Sequence, residues 1–514
     1  MIFIWGRVYA PDQPCATAVV TDKGSISFIG GDEAARRLAR NQIEVDLQGR
    51  LITPAFVDAH VHLIQTGLAM SGLGLRDATS REDAVARVAA YARRHPDAHI
   101  IVGHGWDERA WPEPLPPTRT QLDRAAGGVA VYLARVDVHS AVVSSTLLDQ
   151  LPGVVKAIGY RPDGLLTREA HHLCRGSLDQ LFTDQERRSS ARAALDAAAA
   201  QGVATVHDLG GPHLGPTEDL SRVREVAAEL GMGVVGYWGE LATEPTIEWA
   251  RQAGVAGLAG DLCIDGAIGS RTASLSEPYA DAETCGVRYL SEHQIGDHVI
   301  ACTRAGLQAG FHCIGDDAVA AAVSGLRRAA EVLGAPRVRA ARHRLEHVEM
   351  ISDADIATLA ELRVVASVQP AFDAAWGKPT ELYEQRLGSE RAREMNRFAT
   401  LASTGVPLAF GTDSPVTALA GWETVRAAVQ HWQPNERLSV GCAFDAATRG
   451  AHWAAFADNA GTITVGAAAN LAVWDVADVD LDRSTGLPRL EDGPLPTCAA
   501  TISAGQFIYR SESH

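Results

Sequence analysis

The sequence predicts an α/β protein, a (β/α)₈ TIM barrel with a small β-sandwich domain formed from both chain termini. Apolar, strand-like runs alternate with alanine-rich helical segments through the middle of the chain, as in parallel βαβ units. About eight such units over this length fit a barrel. Short strand-like runs separated by turn residues occur at both ends, and histidine or aspartate residues recur where the central runs finish.

Both chain ends contain short strand-like runs. The N-terminal part contains runs such as ATAVVTD and SISFIGG, and the C-terminal part contains ANLAVWDV and CAATISAGQFIYR. Neither end is long enough to form a stable sheet alone. We therefore predict that residues 1–53 and 461–514 pair into one composite β-sandwich, and that the barrel, residues 54–460, is inserted between them.

Eight apolar runs are the predicted barrel strands. They are residues 51–60, 203–209, 232–238, 261–266, 307–313, 343–349, 363–370 and 406–413. Helical segments between them include residues 221–230, 318–334 and 352–363, and the last of these opens with the capping residue Ser352.

A long gap separates the first two predicted barrel strands. It contains its own strand-like runs at residues 99–105 and 129–136, so we predict that residues 70–200 form an excursion after the first strand. Loops that follow barrel strands build the active-site face. We therefore expect the excursion to form a lid or a wall of the substrate site.

Composition limits the possible functions. The chain has 514 residues, of which 46% are hydrophobic and 21% charged, a balance typical of soluble globular proteins. Its net charge of −17 argues against a nucleic-acid partner. The eight cysteines form no CxxC pair, which indicates free thiols in a reducing cytoplasm. With neither a signal peptide nor a membrane-spanning run in view, we expect a cytoplasmic protein with no membrane partner, and a homo-oligomer stays an open possibility.

His60 and His62 are one residue apart in the run TPAFVDAHVHL. Residues i and i+2 of a strand point to the same face, so the two imidazoles can share one metal ion. The fifth predicted strand ends with His312, the sixth with His347 and the eighth with Asp413. These side chains are metal ligands by type, and all lie at strand ends where barrel enzymes keep their catalytic groups.

With these residues in view, the chain resembles the amidohydrolase superfamily, and within it the amidohydrolase-3 (YtcJ-like) branch. The matching segments occur in family order and span nearly the whole chain. They are PAFVDAHVHL, GWDERAW with PTRTQLDR, VDVHSAVV, GLLTREA, IDGAIGSRTA, FHCIGDDAV, RLEHVE, ASVQP and GTDSPV.

The resemblance implies one or two divalent metal ions, typically Zn²⁺. His60, His62 and Asp413 would hold one ion, and His312 and His347 would hold a second or orient the substrate. Neutral imidazoles with a carboxylate suit zinc, which lowers the pKa of its water towards about 7. Asp413 would act as general base, and His347 is the second predicted catalytic residue.

One departure from the family pattern concerns Asp261. In this branch the segment before Asp-Gly usually begins with a lysine, which is carbamylated and bridges two metal ions; here the segment is GDLCIDG. Asp261 precedes Asp265 by about 13 Å of extended strand, so we expect its short side chain not to reach the ions. A single ion is therefore favoured.

Three further residues are predicted to bind substrate. His139 follows a strand of the excursion, Trp106 lies within the excursion, and Arg271 follows the fourth predicted barrel strand, from where it could reach a carboxylate or phosphate. Each has a structural alternative: a hydrogen bond for His139, packing of the lid for Trp106, and a loop-stabilising ion pair for Arg271.

Together these observations predict a metal-dependent hydrolase that cleaves a non-peptide C–N bond, an amide or cyclic amide, in a small-molecule substrate. Two alternatives stay open. The same scaffold supports an esterase, a lactonase or a deaminase, because activated water attacks many electrophiles. The missing lysine also leaves room for a metal-depleted, non-catalytic binding protein.

Overall fold

The computed structural model describes residues 1–39, 42–482 and 484–511. At its centre, an eight-stranded parallel sheet follows chain order. Barrel strands one to eight are Phe56–Val61, Val203–Gly210, Gly233–Trp238, Gly257–Leu258, Gln308–Cys313, Arg344–His347, Val365–Val368 and Leu408–Phe410. A parallel bridge between Val61 and Ser414 joins the first strand to the segment after the eighth and nearly closes the sheet. The predicted (β/α)₈ barrel is confirmed.

Helices connect the barrel strands. They are Leu63–Ser71, Asp184–Ala200, Glu218–Leu230, Glu244–Ala253, Glu292–Ala305, Asp316–Leu333, Ala335–Ala340, Asp353–Leu362, Pro370–Trp376, Leu382–Leu387, Ser389–Ala392, Phe398–Thr404, Trp422–Val429, Val440–Asp445 and Ala451–Ala454. Ser352 caps its helix as predicted, because its side chain accepts a hydrogen bond from the backbone N–H of Asp355. No helix in the described part of the chain has the length and apolar character needed to cross a bilayer.

Barrel strand four is shorter than predicted and lies earlier in the chain. It comprises Gly257–Leu258, whereas the sequence predicted a strand over residues 261–266. Gly260, at φ +86°, adopts a backbone conformation that favours glycine and turns the chain out of the strand. The segment 261–266 therefore lies beyond the carboxyl end of the strand, and Cys263 makes one isolated bridge to barrel strand five. The prediction of a strand over residues 261–266 is wrong.

The predicted excursion lies between barrel strands one and two. It contains a five-stranded sheet with the spatial order Leu165–Thr167, Ser140–Val143, Ala130–Arg135, Ile100–Trp106 and Leu73–Gly74. The helices that accompany this sheet are Arg81–Arg94, Arg119–Ala126, Ser145–Gln150 and Arg168–Ser177. The excursion has an apolar core of its own, so it can hold a fixed position beside the barrel.

Both chain ends meet in one β structure, as predicted. A five-stranded sheet combines Arg7–Val8 and Leu51–Pro54 with Leu471–Asp475, Thr497–Ser503 and Gln506–Arg510. A four-stranded sheet consists of Ser25–Gly30, Ala18–Asp22, Ile2–Ile4 and Glu44–Asp46, with the helix Asp32–Leu38 beside it. Buried residues of both sheets share one apolar core, which includes Phe3, Val19 and Ile502. The exact domain boundaries stay predictions.

Candidate active site

The carboxyl end of the barrel brings together the five predicted metal-binding residues. The ring centroids of His60 and His62 are 5.3 Å apart, those of His60 and His347 4.9 Å, and those of His312 and His347 4.4 Å. Asp413 places its Oδ1 atom 3.2 Å from Nε2 of His62 and 3.4 Å from Nε2 of His60. All five side chains are buried. They surround one centre although they come from four different barrel strands or the segments that follow them.

Backbone ties between the first and eighth strands fix the position of Asp413. Its N–H donates to the carbonyl of His60 at 2.7 Å. The preceding residue, Thr412, donates from its backbone N–H and from its hydroxyl to the buried carboxylate of Asp58. These ties hold Asp413 at φ +52°, a conformation that is strained for a residue other than glycine and costs about 1–3 kcal/mol.

Asp261 joins the metal-binding residues, which corrects the expectation that it would not reach them. Its Oδ2 atom lies 3.3 Å from Nε2 of His62, and its Oδ1 atom lies 3.6 Å from Nε2 of His60 and 3.8 Å from Nδ1 of His312. The expectation assumed an extended strand over residues 261–266. Because barrel strand four ends at Leu258, Asp261 already lies at the active-site end of the barrel.

Three of the histidines are oriented through Nδ1, so that Nε2 faces the centre. The Nδ1 acceptors are Glu346 Oε2 for His60 at 2.8 Å, the Leu209 carbonyl for His62 at 2.7 Å and Gln369 Oε1 for His347 at 2.7 Å. Once an imidazole is neutral, a hydrogen bond donated from Nδ1 fixes the tautomer in which Nε2 carries the free lone pair. Among the described residues, Nε2 of His60, Nε2 of His347 and Oδ1 of Asp261 are buried without a hydrogen-bond partner.

These unpartnered ligand atoms fit a divalent metal ion. Two overlapping groups have ligand atoms within 4.8 Å of one another: His60 with Asp261 and His347, and His60 with His62 and Asp413. Ligands at zinc–nitrogen and zinc–oxygen bond lengths in a tetrahedron are separated by about 3.3 Å. The separations of 3.2–3.6 Å between the histidine nitrogens and the carboxylate oxygens match this value.

The charges of the site also suit a cation. Burial disfavours an imidazolium, but the carboxylates of Asp413 and Glu346 outweigh burial and raise the pKa of His60 to about 10. Asp261 and Asp413 likewise raise the pKa of His62 to about 9. Burial alone would raise the pKa of Asp413, but the two histidines hold it well below its usual range. The site therefore holds two positive charges between two carboxylates, the charge that one divalent ion would bring.

A buried ion pair inside the barrel supports His60. Nε and Nη2 of Arg344 donate to the two carboxylate oxygens of Glu346, and Nη2 also donates to the carbonyl of Ala59 at 2.7 Å. Arg344 holds the pKa of Glu346 well below its usual range despite burial. His207, on barrel strand two, has its Nδ1 atom 3.2 Å from Nη1 of Arg344.

His139 is the predicted substrate-binding residue that does reach the site. Its ring centroid lies 4.9 Å from that of His312. His139 lines a cavity of about 20 Å³ together with His312, His347 and Asp413. Burial lowers the pKa of His139 well below its ordinary value, so its ring is neutral at physiological pH. The excursion therefore does contribute a wall of the site.

Arg271 and Trp106 are placed differently from the prediction. The guanidinium of Arg271 makes two hydrogen bonds to Asp281, at 2.9 and 2.6 Å, so the loop-stabilising alternative describes it. Trp106 is 2% exposed in the core of the excursion, where its Nε1 donates to the carbonyl of Leu133. Its apolar surroundings make Trp106 a packing residue of the excursion rather than a substrate contact.

Two histidines without a sequence signal lie close to the site. The rings of His172 and His213 are 5.1 Å apart, and Nε2 of His213 is 3.9 Å from Sγ of Cys263. His172 belongs to an excursion helix and His213 follows barrel strand two. Neither local spacing nor a motif predicts that these two histidines lie near the site, because only the tertiary fold brings them together.

Comparisons with known proteins identify the family of the chain. A family model described as "Amidohydrolase family" matches residues 44–509. "Protein LONG AFTER FAR-RED 3" of Arabidopsis thaliana is 27% identical over 530 residues, which cover 93% of this chain and 88% of that protein. "Putative amidohydrolase YtcJ" of Bacillus subtilis (strain 168) is 26% identical over 434 residues, 78% of this chain and 77% of that protein. The crystal structure of an uncharacterized metal-dependent hydrolase from Pyrococcus furiosus matches with 25% identity and a TM-score of 0.71, over 93% of this chain and 99% of that one.

Proposed function

The chain belongs to the amidohydrolase family, and from that premise we propose that it hydrolyses a non-peptide C–N bond, an amide or cyclic amide, in a small molecule. The observation that carries the proposal is the ring of buried ligand atoms at the carboxyl end of the barrel. Nε2 of His60 and Nε2 of His347 have no hydrogen-bond partner among the described residues, although burial makes such atoms costly. A bound ion would satisfy Nε2 of His60, and a proton donor of the attacking water or the substrate would satisfy Nε2 of His347.

His60, His62, Asp261 and Asp413 would hold one divalent ion, and the nitrogen and carboxylate ligands favour zinc. Two carboxylates balance the charge of one divalent ion, which supports a stoichiometry of one. When bound, the ion supplies Lewis acidity that lowers the pKa of water at the site to about 7.

The protein residues would then move the protons of the reaction. The pKa of Asp413 lies well below its usual range, so its carboxylate is ionised at neutral pH and can accept a proton from the attacking water. Its position between the histidines and the cavity allows it to deliver that proton to the leaving nitrogen. Burial lowers the pKa of His347 to about 3, and its Nε2 is a neutral acceptor rather than a hydrogen-bond donor. His139, at the cavity wall, is the proposed substrate contact.

Asp261 also bears on the non-catalytic alternative. A protein that had lost its metal with the missing lysine would be expected to lack a carboxylate at that position. Instead Asp261 points both oxygens at the histidines. This arrangement supports a working metal site rather than a vestigial one.

Hydrolysis of a substrate panel tests the proposed function. Acetanilides, cyclic amides, esters, lactones and aminopyrimidines would be assayed with purified protein, with and without added Zn²⁺ or Mn²⁺, and after chelation. We expect turnover of amides or cyclic amides that chelation removes and zinc restores, and that Asp413→Asn abolishes. Exclusive turnover of esters, lactones or aminopyrimidines would contradict the proposal, as would the absence of both zinc uptake and turnover.

A further inference from the structure

Arg175 is a buried arginine whose charge is left unpaired. It lies on the excursion helix Arg168–Ser177 and is 9% exposed. Within residues 1–39, 42–482 and 484–511, no hydrogen bond or ion pair engages its guanidinium. A charge of this kind is seldom buried unless it has a partner.

The other buried arginines of the described chain each have a carboxylate partner. The pairs are Arg135 with Asp137, Arg187 with Asp219, Arg344 with Glu346 and Arg386 with Asp281. Arg175 is therefore an exception to a pattern that the protein otherwise keeps. The simplest physical reason is that its partner is a molecule that the protein binds.

Arg175 faces a cavity of about 70 Å³ between the barrel and the excursion. His104 and Tyr132 line the same cavity, and Nε2 of His104 is buried without a hydrogen-bond partner in the described chain. Burial lowers the pKa of His104 to about 3, so its ring is neutral and can donate a hydrogen bond without adding charge. The remaining wall is largely apolar, with residues such as Leu68 and Phe182.

This cavity adjoins the metal-binding residues. Gln65 and Pro415, which line it, follow His62 and Asp413 closely in the chain. The charge of Asp413 also acts on His104 in the cavity wall, where it opposes the lowering of the pKa of His104 by burial.

His172 is on the same helix as Arg175 and is electrostatically coupled to the metal-binding residues. Burial and the charge of Arg175 lower the pKa of His172 to about 4, and the charge of Asp261 opposes this change. His172 is thus within electrostatic reach of both. His213, whose ring lies 5.1 Å from that of His172, is likewise coupled to the charges of Arg175 and Asp261. Two histidines are therefore electrostatically coupled to both Arg175 and Asp261, which places the Arg175 cavity near the metal-binding centre.

We propose that Arg175 binds a carboxylate of the substrate, so that the enzyme acts on amides or cyclic amides that carry an acid group. This inference rests on the proposed function for the identity of the scissile bond. A guanidinium offers two parallel N–H donors that match a carboxylate. A phosphate dianion would call for a second cation, but Arg187 on the same wall is neutralised by Asp219.

The first test measures binding without turnover. Benzoate and its neutral isostere benzamide would be titrated into the zinc-loaded protein by calorimetry, for wild type, Arg175→Met, Arg175→Lys and the control Arg124→Met. Arg124 is exposed on another helix of the excursion. Arg124→Met therefore changes the net charge as Arg175→Met does, but away from the cavity. We expect wild type and the control to prefer benzoate by about tenfold or more, the lysine variant to keep part of this preference, and Arg175→Met to lose it. Equal preference in wild type and Arg175→Met would overturn the proposal.

The second test measures catalysis. We expect Arg175→Met to lower kcat/KM for 4-acetamidobenzoate by about tenfold to a hundredfold and to leave 4-acetamidobenzamide within about twofold. An equal loss on both substrates would contradict a carboxylate site. If neither anilide is hydrolysed by wild type, the proposed function fails for this class, and benzoate binding still decides the role of Arg175. Thermal unfolding controls for folding: removing an unpaired buried charge should leave Tm unchanged or higher.

Discussion

Glu346 accepts a hydrogen bond from Nδ1 of His60 at 2.8 Å, and both residues are fully buried. Arg344 binds the same carboxylate, so the charge of Glu346 is compensated from inside the barrel while His60 is oriented towards the metal-binding centre. The orientation of His60, a proposed metal ligand, therefore depends on a buried ion pair between Arg344 and Glu346.

Replacing Glu346 should weaken metal binding without touching a ligand. We expect Glu346→Gln to reduce zinc affinity by about tenfold to a hundredfold, because residues that orient a ligand histidine affect affinity by this amount. It should also destabilise the fold by about 3–5 kcal/mol, because Arg344 is left buried without a counter-charge. Zinc competition with a chelator and urea denaturation measure the two effects.

A double variant separates these effects. Arg344→Met with Glu346→Leu removes both charges, so it should recover most of the lost stability but not the zinc affinity. Zinc affinity equal to wild type in this variant would show that Glu346 does not orient His60.

Replacing either His60 or His62 should abolish activity. We expect His60→Ala and His62→Ala each to lower zinc occupancy and to reduce kcat/KM on the order of a thousandfold or more, since each removes a ligand of the ion that activates water. Metal analysis and turnover on the substrate panel measure this. His293→Ala is the control, because His293 is exposed on a barrel helix. Normal metal content and turnover in either ligand variant would refute the assignment.

Metal analysis should find one tightly bound ion per chain. Asp261 contacts the histidines but is much shorter than a carbamylated lysine, and its single charge together with Asp413 balances one divalent cation. We expect Asp261→Asn to lower zinc affinity, and Asp265→Asn to leave stoichiometry unchanged, because Asp265 instead accepts backbone hydrogen bonds from Ser274, Ile314 and Gly315. Two tightly held ions per chain in the wild-type protein would contradict this prediction.

The sequence predicts the barrel and the histidine–aspartate ring because both depend on local patterns. His60 and His62 share a strand face, and His312, His347 and Asp413 each fall where an apolar run finishes. The parallel topology then brings these strand ends to one rim. No knowledge of tertiary contacts is needed for that step.

Other features depend on register or on tertiary pairing, which the sequence does not encode locally. Barrel strand four has two residues, too few to produce a pattern, so the apolar run 261–266 predicts the wrong position for Asp261. Arg175 sits in an ordinary helical segment, and only the structure reveals that its charge is unpaired. Trp106 and Arg271 looked like site residues by position, but each is satisfied elsewhere, by Leu133 and Asp281.

Zinc affinity should rise with pH across the neutral range. In the metal-free protein the pKa of His60 is raised to about 10 and that of His62 to about 9, by carboxylates that outweigh the effect of burial. Metal ligation needs neutral imidazoles, so binding must displace these protons. Lowering the pH strengthens the competing protonation and weakens binding; raising it towards the two pKa values does the opposite. With two protons displaced, affinity should change by up to about a hundredfold per pH unit between about pH 6 and pH 8.

Calorimetry in buffers of different protonation enthalpy counts the protons released when zinc binds. Asp413→Asn should reduce that number because Asp413 raises the pKa of both histidines. A zinc affinity that is flat over this range would contradict the assigned protonation states.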